Sequence, residues 1–270
     1  MNIVCIIQAR YSSTRLPGKI LLPVINDKSV LELVIQRVNK SNLINKVIVA
    51  TSTEQSDDIL LNKDLDVTLF RGDLNNVFSR YYDCAKQYKA DVIVRITGDC
   101  PCIDHNVIDQ AIKSHLDNNN DYTSNAIKRT FPHGMDVEVF NFSCFDKIEK
   151  SEMTKQDLEH VTRFFYNNPD KFKLGNIVQS NELDTSDIRI TVDEKNDYDL
   201  ALIIFSLLGE DFLLEDINSL FSKLESLSKI NSNVHQKKQF DNLEKELEYA
   251  IDICDDLELT RVSKILRESK

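Results

Sequence analysis

Four short apolar runs, Ile3–Ile7, Lys46–Ala50, Val67–Phe70 and Asp91–Ile96, alternate with segments of helical period through the first half of the chain. Each is short for a helix and largely apolar on both faces, which is the pattern of a strand covered on both sides. Helices fit between them at Ser29–Asn39, Ser56–Leu61, Asn75–Tyr88 and His105–Leu116. Ser29 followed by Glu32 is a capping box that fixes the start of the first. A β-α-β-α order of this kind can bury its strands only in a mostly parallel sheet with helices on both faces. The expected class is therefore α/β and Rossmann-like. Right-handed crossovers then gather the strand C-termini along one edge, where ligands bind.

The second half is less regular. Tyr122–Ser124, Met135–Phe140, Phe172–Val178 and Ile188–Val192 read as strands, and Lys155–Tyr166 as one amphipathic helix stopped by Pro169. Asp197–Leu208 reads as a helix ending at Gly209, and Asp117–Asp121 as a solvated turn. From Glu215 the pattern is charged and helical, giving a bundle packed on the sheet; the heptad-like Phe240–Ile251 could equally face a partner subunit. This divides the chain into a domain over 1–209, with a substrate or dimerisation excursion over 131–180, and a helical extension over 210–270.

Net charge and cysteine usage exclude several classes. At −11 and a pI near 5.0, the chain lacks the broad basic face that nucleic acid requires. No apolar run approaches the roughly 20 residues of a bilayer span. The N-terminus reads as a strand and not as a signal peptide, so a cytoplasmic location is expected. Six cysteines without a CxxC pair are expected to be free thiols. Cys100, Cys102 and His105 could be drawn as a metal nest, but a closed zinc site wants a fourth ligand.

Against that acidic background, Gln8–Lys19 (QARYSSTRLPGK) carries Arg10, Arg15 and Lys19, and no acidic residue precedes Asp27. Three cations just after a first parallel strand ask for an anion, and a phosphate fits best. The spacing is not that of a P-loop. Gly18, Gly72 and Gly98 follow the first, third and fourth strands, as a backbone bending around a ligand would require. Asp99, in Thr97-Gly98-Asp99-Cys100-Pro101, is placed to hold Mg²⁺ beside a phosphate. Asp193 ends the segment Ile188–Val192 and either joins that metal or caps the next helix. Arg71 contacts nucleotide, or forms a salt bridge to Asp73 or Asp99. His133, Asp136, Glu138, Glu159 and His160 are candidates for a substrate pocket.

These residues resemble the SpsF-type cytidylyltransferases, in the superfamily of CMP-KDO synthetase and acylneuraminate cytidylyltransferase. The resemblance is carried by QARYSSTRLPGK, ATS at Ala50–Ser52, RGD at Arg71–Asp73, RYY at Arg80–Tyr82 and VRITGDCP at Val94–Pro101. FPHGMDVEVF at Phe131–Phe140, EHVTRFFYNNP at Glu159–Pro169 and RITVD at Arg189–Asp193 extend it over about residues 1–205. It implies a glycosyltransferase-A-like nucleotidyltransferase fold and a CTP- and Mg²⁺-dependent reaction. Arg10 and Lys19 would hold the triphosphate and, with Asp99, carry catalysis. Ala9, Arg15, Arg71, Thr97 and Gly98 would complete the nucleotide site, and Asp99 and Asp193 would bind the metal. Asn125, His133, Asp136, Glu138, Glu159, His160 and Arg189 would meet a sugar acceptor, expected to be a keto-deoxy sugar acid of a surface polysaccharide. A homodimer is also implied. The chain departs from the pattern at Thr97, where CMP-KDO synthetases carry glutamine. It departs again at Glu194-Lys195-Asn196, which replaces Thr-Pro-Glu and loses a threonine cap. A glycosyltransferase consuming a nucleotide sugar and a non-catalytic nucleotide-binding protein are the rival classes.

Overall fold

The computed structural model describes residues 1–180, 183–234 and 243–268. Contacts divide the chain into Met1–Asn233 and Val234–Lys270. The first unit is built on a seven-stranded sheet: β1 (Ile3–Gln8), β4 (Lys46–Ser52), β5 (Thr68–Gly72), β6 (Val92–Thr97), β7 (Tyr122–Ser124), β8 (Glu138–Asn141) and β9 (Leu174–Asn176). Its order is β5-β4-β1-β6-β8-β7-β9. The four strands of the first half run parallel; β8 is antiparallel to both its neighbours, and β7 and β9 are parallel. A small hairpin, β2 (Pro23–Ile25) and β3 (Lys28–Ser29), stands apart from the sheet.

The period of two along β1 sorts its side chains into two cores. Ile3, Cys5 and Ile7 pack with α1 (Val30–Val38), α3 (His105–Asp117) and α7 (Lys195–Leu208). Val4 and Ile6 pack with α2 (Val77–Gln87), α4 (Phe142–Glu149) and the aromatic cluster of Phe78, Phe145 and Phe165. The capping box is present: the Ser29 N–H donates to Glu32 Oε2 at 2.8 Å. The parallel half of the sheet, with helices on both faces, is the architecture expected.

Three local expectations are corrected. Lys155–Tyr166 is two short helices, α5 (Lys155–Glu159) and α6 (Arg163–Tyr166), because Val161 turns to φ 29° and the Thr162 hydroxyl donates to Glu138 Oε1 at 2.5 Å. Ile188–Val192 is not a strand. Its hydrogen bonds are shared between two loops: the Ile190 N–H donates to His133 O and the Val192 N–H to Asp99 O, both at 2.8 Å. Asp117–Asp121 is not wholly solvated either. Asn120 is buried, its Nδ2 donating to Thr123 Oγ1 at 3.0 Å, and Asp121 accepts from the Lys173 N–H at 2.8 Å.

After α7 the first unit continues through α8 (Leu214–Lys223) to Asn233. The second unit contains α9 (Leu243–Asp256) and α10 (Thr260–Glu268). Residues 240–242 of the heptad-like stretch lie outside the described residues. Among the described residues no helix is long and apolar enough to cross a membrane. Five of the cysteines are buried thiols, and Cys254 is partly exposed.

Candidate active site

The basic loop leaves β1 at the centre of the sheet. The Ala9 N–H donates to Ala50 O at 3.2 Å, keeping the first residue of the loop beside β4. Tyr11 then closes the loop on itself. Its carbonyl accepts from the Gly18 N–H at 3.2 Å, and its ring lies under Gly18, where a Cβ would meet Cε2 at 3.0 Å. Gly18 has φ 68°, a left-handed conformation that a larger residue adopts at a cost. Lys19 opens a single 3-10 turn, Lys19–Leu21, and points back to the strand ends.

There Lys19, only 8% exposed, places Nζ 2.5 Å from Asp99 Oδ2 and 2.6 Å from Asp193 Oδ1. Asp99 is held by its neighbours' backbones: the Gly98 N–H donates to Gln8 O at 2.8 Å, and Asp99 O accepts from Val192 N–H and Thr191 Oγ1. Asp193 is held from the other side. Arg189 forms a two-point pair with Asp197, at 2.9 Å for both bonds, and also donates to Asp193 Oδ2 at 3.1 Å. The Asp197 carboxylate accepts from the N–H groups of Asp193 and Glu194, and Glu194 is the N-cap of α7. Asp193 therefore does not cap that helix, and its carboxylate is left to face Lys19.

The electrostatics follow from this packing. Burial pushes the Asp193 carboxyl up, but Lys19, Arg15 and Arg189 outweigh it and bring the group down to about 2. Burial likewise disfavours the Lys19 ammonium, and Asp99 and Asp193 more than compensate, so its value is raised. An aspartate titrates near 3.9 when unfolded, so the Asp193 contribution is complete above that pH and is lost as pH falls toward 2. Urea unfolding should show a loss of about 2 kcal/mol from this group between about pH 5 and pH 2.

The loop carrying His133 positions the Arg189–Asp193 segment. His133 N–H donates to Ile188 O at 2.8 Å, and Gly134, at φ 106°, lies against the 190–191 backbone. A Cβ on Gly134 would stand 2.5 Å from Thr191 N and 2.8 Å from the Ile190 carbonyl carbon. Neither atom is a flexible side-chain end. Gly134→Ala should lower stability by about 3 kcal/mol, read by the urea midpoint, and should displace Asp193 with it.

The other candidate residues are placed as follows. Arg15 reaches Asp193 Oδ1 at 3.1 Å and Glu194 Oε1 at 3.6 Å, so it braces the carboxylates from the solvent side. Arg10 is exposed and has no hydrogen bond or ion pair among the described residues. Ala9 is buried, Gly98 sits against it, and Thr97 Oγ1 lies 3.1 Å from the buried Cys100 thiol. Arg71 pairs with neither Asp73 nor Asp99. It donates to Ser52 O at 2.7 Å and Glu54 O at 2.9 Å, and pairs with Asp58 at 2.7 Å.

On the acceptor side, Arg129 is paired with Asp136, and His133 Nδ1 lies 3.8 Å from the same carboxylate. Burial, with Asp136 opposing, lowers the His133 value, which favours the neutral ring. Asn125 is buried and spends its amide on the backbone of Met135 and Val137. Glu138 is likewise committed to Arg95, Tyr122 and Thr162. Glu159 is exposed and His160 half-buried at the break between α5 and α6. The structure thus brings Lys19, Asp99, Asp193, Arg15 and Arg189 into one contact set, while Arg71, Asn125 and Glu138 serve their local structure.

Sequence reasoning missed Asp197, Asp57 and Arg80. The spacing of Glu194 and Asp197 is a capping signal that could have identified the first. Arg80 is buried in the first turn of α2, with Nη1 donating to Asp73 O at 2.9 Å and its Nε without a partner. Nothing in the sequence marks either Arg80 or Asp57 as buried.

Two carboxylates, Asp99 from the loop after β6 and Asp193 from the segment before α7, already converge on one cation, the Lys19 ammonium. That donor set suits a hard divalent ion, which takes one or two carboxylates and completes its shell with water and phosphate oxygens. Among the described residues no group of three or more Asp, Glu, His or Cys could hold a metal, so Cys100, Cys102 and His105 form no such site.

A parallel sheet with a cationic loop after its first strand, opposed by one carboxylate after the neighbouring strand and a second just before α7, is the arrangement of a nucleotidyltransferase. The chain belongs to the cytidylyltransferase family, whose model matches residues 4–253. An uncharacterized protein of Methanocaldococcus jannaschii is 37% identical over 242 residues, covering 88% of this chain and 97% of its own. The spore coat polysaccharide biosynthesis protein SpsF of Bacillus subtilis is 33% identical over 218 residues, covering 77% of this chain and 88% of its own. Among solved structures, a cytidylyltransferase from Leptospira borgpetersenii superposes with a TM-score of 0.79 at 34% identity, over 90% of this chain and 100% of that one. The resemblance to SpsF-type enzymes and the nucleotidyltransferase fold are both borne out.

Proposed function

We propose that this cytidylyltransferase transfers CMP from CTP to a carboxylated sugar of a surface polysaccharide, releasing pyrophosphate, with Mg²⁺ as its cofactor. The observation that carries the reading is Lys19 held between Asp99 and Asp193 while Arg10 stands open at the same loop. Arg10 and Lys19 are the groups for the triphosphate, and Asp99 and Asp193 those for the metal. When bound, Mg²⁺ would neutralise phosphate charge that Arg10 and Lys19 leave uncovered. A sugar hydroxyl attacks the α-phosphorus and gives up its proton to water, the α–β anhydride bond breaks, and pyrophosphate leaves. Catalysis on this reading is positioning and charge stabilisation by fixed groups.

The carboxylated acceptor rests on the resemblance to enzymes of keto-deoxy sugar acids; on the acceptor side itself Arg129 is paired with Asp136 and His133 favours its neutral ring. A homodimer through 131–180 and a cytoplasmic location, where CTP is made, belong to the same reading. Mixing the protein with CTP, Mg²⁺ and a panel of keto-deoxy sugar acids should release pyrophosphate with an equal amount of CMP-sugar. Intact CTP across a panel including KDO, sialic, legionaminic and pseudaminic acids would overturn the acceptor class. A glycosyltransferase would instead consume a nucleotide sugar and release no pyrophosphate.

A further inference from the structure

Two of the sequence motifs, Ala50-Thr51-Ser52 and Arg71-Gly72-Asp73, are left without a role by the contacts around Lys19. Both meet at the 3-10 turn Gln55–Leu60, the first through Asp57 and the second through Asp58. Asp57 is fully buried. Its Oδ1 accepts from the Tyr11 N–H at 2.7 Å, and its Oδ2 accepts from Ser52 N–H at 3.1 Å, Thr51 Oγ1 at 2.9 Å and Ser52 Oγ at 2.5 Å. Arg71 grips the same turn from outside through Ser52 O, Glu54 O and Asp58.

From these contacts we infer that Asp57 is a positioning residue: a buried latch that fixes the phosphate-binding loop to the end of β4 and sets Arg10 and Lys19 together. Arg10 directly precedes the latched Tyr11. Lys19 directly follows Gly18, whose N–H and Cα rest on the carbonyl and ring of that same Tyr11. One carboxylate therefore governs both cations, although eight residues separate them in the chain. The ATS segment supplies the donors that anchor the latch, and Arg71 braces the turn that carries it.

The hydrogen-bond inventory requires a carboxylate here. Asp57 offers acceptors only, and every group facing it is a donor. The two hydroxyls can rotate away, but the Tyr11 and Ser52 N–H groups cannot, and they meet different oxygens. Asparagine has one oxygen, so whichever way its amide is turned, its NH₂ opposes one of these backbone donors. Glutamate would need room for a further methylene in a fully buried site.

That Arg10 and Lys19 hold a triphosphate rests on the proposed function; the latch is a property of the free chain, and the test separates the two. Hydrogen exchange on the ligand-free full-length protein should show the Tyr11 amide protected at least about 100-fold over Ser13 and Thr14 of the same loop. Asp57→Asn should abolish that protection at Tyr11 and Gly18. Leu60→Ala, which removes a buried side chain from the same turn without touching the carboxylate, should retain it. With CTP and Mg²⁺ as the probe, Asp57→Asn should bind about tenfold more weakly or worse, and Leu60→Ala within about threefold of the parent. A fast-exchanging Tyr11 amide in the parent protein overturns the latch, as does full protection in Asp57→Asn or equal loss in both variants. If the exchange results hold and the parent protein does not bind CTP, the latch stands and the proposed function falls.

Discussion

Lys19→Met should lower kcat/KM for CTP about a thousandfold, with the fold unchanged. Methionine keeps a buried unbranched stem and deletes the ammonium. Among the described residues the lost group is the one cation in contact with both Asp99 and Asp193, and it lies 8% exposed, where its charge is weakly screened. Steady-state pyrophosphate release gives the rate, and far-UV circular dichroism with a urea midpoint checks the fold. A second signature accompanies the first. Without Lys19, Asp193 loses its strongest favourable charge, so the stability lost on acidification toward pH 2 should shrink. A Lys19→Met protein that turns over like the parent would sink the reading of the basic loop as a phosphate site.

Asp197→Ala should be the most damaging change to stability near the site, at about 3–5 kcal/mol. Asp197 is buried, and so is its partner Arg189. Removing the carboxylate leaves a buried guanidinium with only its 3.1 Å contact to Asp193. It also strands the N–H groups of Asp193 and Glu194, which donate to Asp197, and leaves the Asn231 amide with Arg189 O alone of its two acceptors. Calorimetry should show a fall in Tm of about 10 °C for a unit of this size. Arg189, freed from Asp197, would pair more fully with Asp193 and draw it from Lys19, so activity should fall at temperatures where the variant is still folded. A Tm within a degree of the parent would show that the Arg189–Asp197 pair is solvated in solution.

The first half of the fold was legible because its strands are covered on both faces, and apolar runs such as Val47-Ile48-Val49-Ala50 have no other reading in a β-α rhythm. Lys19 and Asp99 were legible for a related reason: the topology must bring the ends of β1 and β6 to one edge. Elsewhere the deciding contacts are distant in sequence. Ile188–Val192 looks like a strand, but its donors are divided between residues 99 and 133. Lys155–Tyr166 has helical period throughout, and only the reach of Thr162 to Glu138, a strand residue, breaks it. Glu138 itself alternates as a pocket residue would, yet Arg95 on the neighbouring strand claims it. Arg71 pairs with Asp58, a partner that the adjacent Asp73 obscured. Asp57 is the extreme case, because its four donors come from residues 11, 51 and 52 and none lies in its own turn.

The strand order also has a consequence for how the protein is made. Of the strands in this sheet, the earliest in the chain lies inside the parallel half, paired to β4 on one side and β6 on the other. Until residues 92–97 have been synthesised, Ile3–Gln8 has at least one unpaired edge, and its sequence IVCIIQ is apolar and uncharged. Such a segment is a template for pairing with another chain for as long as it waits. The nascent chain is therefore most prone to aggregate early, and truncations ending before β6 should be insoluble while the longer chain is not.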